Sequence, residues 1–102
     1  MKEKIEIKNI LKYEKNAKGV RVSFCFCEPK MLANNGNFKG YSINDCFYDD
    51  IGLFDKLPIE LINKQVDVTL KSVPSPKNPM TSVSKIDKIY YNGSVISLLP
   101  TE

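Results

Sequence analysis

The order in which hydrophobic periodicities change along this chain predicts a mainly β domain. Its expected form is a small five- to six-stranded Greek-key barrel with one short helix between strands three and four. Three alternating runs come first, Leu57-Pro58-Ile59-Glu60-Leu61-Ile62 then interrupts them as one or two helical turns, and two or three more alternating runs follow. Strand, strand, strand, short helix, strand, strand within about 100 residues is the element order of the OB-fold. At 102 residues the chain has room for one core and not for two, so residues 1–102 are read as a single domain.

The first run, Ile5-Glu6-Ile7-Lys8, alternates cleanly and slips phase at Ile10-Leu11, which predicts a long first strand with a bulge or bend before Tyr13. Residues 14–19 are polar, hold Asn16 and Gly19 for positive φ, and read as a hairpin loop. In the second run Val20, Val22, Phe24 and Phe26 face one way, and Arg21, Ser23, Cys25 and Cys27 the other. Residues 28–39, with Pro29, Asn34, Asn35 and Gly36, form the longest breaker-rich stretch and are expected to be a mobile loop. A third strand is expected over Tyr41-Ser42-Ile43-Asn44-Asp45-Cys46-Phe47-Tyr48, with Tyr41, Ile43 and Phe47 on one face and Ser42, Asn44, Cys46 and Tyr48 on the other.

Asp49-Asp50-Ile51-Gly52 ends that pattern. Pro58 suits the first turn of a helix and Asn63 its left-handed exit, so a short helix should plug one end of the barrel with Leu57, Leu61 and Ile62. Gln65-Val66-Asp67-Val68-Thr69-Leu70-Lys71 alternates again, with Val66, Val68 and Leu70 inward. The three prolines of Val73-Pro74-Ser75-Pro76-Lys77-Asn78-Pro79 rule out regular structure there and stiffen the loop toward extended geometry. Residues 83–91 read as a strand with a phase slip between Val83 and Ile86. Asn92-Gly93 is the strongest hairpin signal in the chain, and Ser94-Val95-Ile96-Ser97-Leu98-Leu99 returns as a further strand.

The net charge of +3 is unevenly spread: residues 1–22 carry +4, residues 23–60 carry −3 and the remainder +2. A fold that joins the first and last strands would gather the lysines on one side and leave the middle acidic, and such a patch attracts polyanions. No apolar run approaches the roughly 18 residues of a membrane span. The start, Met1-Lys2-Glu3-Lys4-Ile5-Glu6, is charged where a signal peptide is apolar. No membrane partner and a cytoplasmic location are therefore expected.

Cys25, Cys27 and Cys46 make an odd count without a Cys-x-x-Cys pair, which fits a reducing compartment. Three thiols in neighbouring strands suggest zinc, but a fourth ligand is missing from a chain with no histidine. The reading adopted is small side chains in or beside the core, with no metal and no cofactor. The same lack of histidine removes the commonest general base. No nucleophile elbow, phosphate loop or dinucleotide fingerprint is present, and Asp45, Asp49, Asp50 and Asp55 lack calcium-loop spacing, so no catalytic residue is assigned and no enzyme is expected.

Binding is the better-supported class. In a barrel of this order the loops of residues 14–19 and 72–81 flank the ligand face, and they carry Lys15, Lys18 and Lys77. Single-strand binders combine a cationic groove with rings on which bases stack, and the rings at hand are Tyr13, Phe38, Tyr41, Tyr48, Tyr90 and Tyr91. The expected nucleic-acid-binding residues are Lys12, Lys15, Lys18, Arg21, Lys39, Tyr48, Lys77, Lys85 and Tyr90. The competing account of the tyrosines is half-burial in the sheet with their hydroxyls in water. A second reading is a protein-interaction or structural subunit, a homo-oligomer or a complex, that pairs through the apolar closing strand Val95-Ile96-Ser97-Leu98-Leu99.

At Lys56-Leu57-Pro58-Ile59-Glu60-Leu61-Ile62-Asn63-Lys64-Gln65-Val66 and Val73-Pro74-Ser75-Pro76-Lys77-Asn78-Pro79 the chain resembles small OB-fold-type proteins encoded on plasmids, conjugative elements and phages of Gram-positive bacteria. The resemblance spans residues 40–89 and implies a single-stranded-DNA-binding or conjugation-accessory role on a mobile genetic element. The chain departs from well-known single-strand binders in being shorter, nearly free of arginine and without an acidic protein-recruiting tail.

Overall fold

A computed structural model describes residues 2–16, 18–27, 32–75, 78 and 80–99. The protein is mainly β and antiparallel. A six-stranded sheet is built from β1 (Lys2–Tyr13), β2 (Gly19–Phe26), β5 (Asn44–Tyr48), β6 (Gln65–Pro74), β7 (Ser82–Tyr91) and β8 (Ser94–Ser97), in the order β5-β2-β1-β6-β7-β8. A separate hairpin pairs β3 (Leu32–Asn34) with β4 (Lys39–Tyr41).

The long first strand forms as its pattern predicts. The register with β2 shifts between Ile7 and Asn9, so Lys8 is the bulge, and Ile5 and Ile7 before it and Ile10 after it all turn toward the core. Beyond Tyr13 the chain turns through Asn16 at φ 60°. Gly19 serves a different purpose from the one expected. A Cβ there would lie 2.2 Å from the Tyr48 carbonyl oxygen and 2.7 Å from the Phe47 ring, so close packing and not a positive φ demands glycine.

Four expectations are corrected along the middle of the chain. Part of the proposed mobile loop is the β3-β4 hairpin, whose turn is held by Asn35 Oδ1 accepting from the amides of Asn37 and Phe38; residues 28–31 lie outside the described residues. Tyr41 and Ile43 do not continue into β5 and are exposed. In β5 the phase is the reverse of the one predicted. Val20 pairs with Tyr48 and Val22 with Cys46, and paired residues share a face, so Cys46 and Tyr48 join the core and Phe47 turns outward. The helical segment is also earlier and split: α1 (Leu53–Lys56) precedes a 3₁₀ turn (Ile59–Leu61). Pro58 caps that turn in an extended conformation, Asn63 exits at φ 67° as expected, and Leu53, Leu57 and Leu61 are buried.

In β6 the ladder continues through Val73 and Pro74, paired with Val83 and Ser82, against the expectation of irregular structure. Past Thr69 the strand no longer pairs with β1, so Pro74 sits on an edge where its missing N–H leaves no ladder bond unmade. The phase slip in β7 lies at Asp87, between Ile86 and Ile89, and Asn92 and Gly93 form the predicted turn with φ of 52° and 78°.

The sheet does not close into a barrel, which corrects that part of the expectation. Its edge strand β5 instead meets β7 through side chains. Tyr48 Oη donates to the Ile86 carbonyl at 2.8 Å, Cys46 Sγ to the Ser84 carbonyl at 3.6 Å, and Lys85 Nζ to the Phe47 carbonyl at 2.5 Å. Further along the same edge β8 pairs with residues 88–91 of β7, and the Leu98 amide donates to the bulge carbonyl of Asp87. Leu98 is buried, with Ile96 and Leu99 packed against the core. The hydrophobicity of the tail is thereby accounted for within the chain, leaving Val95 as its exposed large side chain. Among the described residues no helix is long and apolar enough to cross a membrane.

Candidate nucleic-acid interface

The outward face of β1, β2 and β5 is defined by register. Leu11, Arg21 and Phe47 form one cross-strand row, and Asn9, Ser23 and Asp45 the next. The Tyr13 and Phe47 rings lie 5.9 Å apart, centroid to centroid, at an interplanar angle of 53°. They approach because Gly19, which pairs with Tyr13, has no side chain where the Phe47 ring lies. Beside this end of the face, the turn after β1 carries Lys15 and Lys18, both exposed.

Arg21 is half-buried in this row, and its Nε is shielded from solvent with no acceptor among the described residues. A buried donor without an acceptor is costly, so Arg21 gains by any side-chain movement that brings its guanidinium to an acceptor. One feature opposes an anion. Asp45 is exposed on the neighbouring row, where it accepts a bond from Ser23 Oγ at 2.5 Å.

The nine sequence-derived candidates do not form one site. Arg21, Lys15 and Lys18 come together. Lys12 lies on the other face of β1, 3.3 Å from Glu14 Oε1 and 4.9 Å from the centre of the Phe54 ring, so it braces α1 against the strand. Lys85 holds the β5-β7 seam. Tyr48 is corrected outright: at 3 % exposure, with its hydroxyl bonded to Ile86, it has no free ring face to offer a base. Burial pushes both the Tyr48 phenol and the Cys46 thiol up from their ordinary pKa values, so both stay neutral in the core. Lys39 is exposed on the β3-β4 hairpin, and Tyr90 lies toward the far edge of the sheet beneath Lys2, whose Nζ is 4.0 Å from the ring centre. Lys77 is outside the described residues.

Sequence reasoning missed Phe47 because it placed the residue on the inward stripe with Tyr41 and Ile43. Pairing β5 with the inward-facing valines of β2 would have corrected it. Cys25 and Cys46 are buried and Cys27 half-buried, and none of the three is in a disulfide. Among the described residues no group of three or more metal-ligating side chains converges, and nothing there points to catalytic chemistry. Comparison with protein families, with curated proteins and with solved structures found no match.

Proposed function

We propose that the chain is a small OB-like domain that binds single-stranded nucleic acid without chemistry of its own. Counting only β1, β2, β5, β6 and β7, the sheet order is third, second, first, fourth, fifth, with the helical segment between third and fourth. The side-chain contact of third with fifth suits a partly open Greek-key barrel. The observation that carries the functional reading is the Tyr13-Phe47 ring pair in one face with Arg21, whose Nε lacks an acceptor, beside a loop with two exposed lysines. Rings offer stacking surface to unstacked bases of any sequence, and the cations meet phosphates. An accessory role on a mobile genetic element rests on the likeness of the Leu57-Pro58 and proline-loop segments.

The test is fluorescence anisotropy with a labelled single strand of mixed sequence over a salt series. Three cationic contacts give a log-log slope of about −2. Absence of binding at low salt and high protein concentration refutes the proposal.

A further inference from the structure

The outward face of β1, β6 and β7 has a composition that the first interface leaves unexplained. Lys2, Thr69 and Lys88 form one cross-strand row, and Lys4, Asp67 and Tyr90 the next, while Lys71 follows Thr69 on the same face of β6. Four ammonium groups thus share this face with Asp67 and, one row on, Glu6, which is held by Lys8; none of the four is ion-paired among the described residues. Lys2 is held over the Tyr90 ring. Between Lys2 and Lys88, the Thr69 hydroxyl is buried with no hydrogen-bond partner among the described residues, enclosed between two cations. The distribution also explains the charge asymmetry of the sequence: β6 brings the lysine-rich start of the chain beside the lysines of β7.

We infer that this face is a second binding surface, for the phosphate backbone of a nucleic-acid strand, resting on the proposed function and extending it. The inference commits to phosphate because the surface is cationic and its ring is already covered by Lys2, so stacking is not its contribution. Leu11 and Lys2 stand nine residues apart on β1, about 30 Å at roughly 3.3 Å per residue. The duplex rise of about 3.4 Å per nucleotide is a lower bound for an unstacked strand, which reaches roughly twice as far, so about five nucleotides span the two surfaces and about three do not. Short oligonucleotides then occupy the ring-bearing interface alone, and long ones engage both.

The experiment compares the unaltered protein with Lys2→Gln/Lys88→Gln, using single strands of about three and about 30 nucleotides. Circular dichroism and a thermal melt establish that the variant is folded. The expected result is a salt slope for the long strand shallower by about 1.4, from two lost contacts at about 0.7 each, with the short strand unaffected. An unchanged slope on the long strand overturns the second surface while leaving the first standing. Equal losses on both lengths overturn it as well, since the lysines would then act as one diffuse field. If the unaltered protein binds neither length, the proposed function itself fails, and the second surface with it.

Discussion

Replacing Tyr48 by Phe removes one oxygen atom from the seam between β5 and β7 and changes little else. The hydroxyl donates to the Ile86 carbonyl at 2.8 Å in a buried setting, so its loss leaves that carbonyl without this donor and should cost about 1 to 2 kcal/mol at neutral pH. The difference should then shrink in alkali. In the unfolded chain the phenol ionises near its ordinary value of 10.0, while in the folded protein burial keeps it protonated well beyond that. Above that pH the unfolded state binds fewer protons, and stability falls as pH rises. One unit above it, the loss from this single group is about 1.4 kcal/mol. The phenylalanine side chain of the variant has no such proton, so the gap between parent and variant should be full below about pH 9 and nearly closed by about pH 11. Urea denaturation of both proteins at matched pH values measures it. A gap that stays constant with pH, or a variant as stable as the parent at neutral pH, would refute the seam as described.

Gly19→Ala forces a Cβ against the Tyr48 carbonyl and the Phe47 ring; a loss of about 1 to 3 kcal/mol or more in urea denaturation is expected, and full stability would contradict the close approach. Lys15→Glu/Lys18→Glu should weaken single-strand binding in anisotropy while leaving the thermal midpoint within about a degree, because exposed loop charges contribute little to stability. Asp45→Asn removes the anion of the ring-bearing face and should tighten binding at low salt, an effect that fades as salt is added. Deleting residues 94–102 takes Leu98 from the core with Ile96 and Leu99 beside it; a loss of about 3 to 5 kcal/mol is expected in urea denaturation. Recovery of an equally stable monomer from an oligomer would restore the interaction reading for that strand.

Strand existence and order were legible where apolar residues alternate without interruption. The valines of β2 and the alternation of β6 declare themselves, and Asn92-Gly93 marks its turn because both residues tolerate positive φ. The phase of β5 was not legible. Its inward residues are a cysteine and a tyrosine, and the neighbouring Tyr41 and Ile43, which look like the same stripe, belong to the chain leaving a separate hairpin. Only pairing with β2 fixes the face, and pairing is a long-range fact. Pro74 misled for a similar reason: a sheet excludes proline only where both edges of the strand are paired, which the local sequence does not say. For the interface, charge and ring content could be counted from composition. What remained hidden was that Lys12 and Lys85 are spent on packing and Tyr48 on the core.

The dual pairing of β1 sets the timing of synthesis. Residues 5–13 meet β2 soon after synthesis, across a short turn, while the other edge of the strand at Ile5 must wait for Val66, about sixty residues later. At roughly 5 to 20 residues per second the ribosome leaves that edge open for about 3 to 12 seconds. The exposed stretch reads Lys2-Glu3-Lys4-Ile5-Glu6, where charges flank the isoleucine and discourage pairing with the wrong chain. Folding of the finished chain inherits the same delay: the sheet cannot be completed until a loop of that length has closed, which places the protein among slow, topology-limited folders.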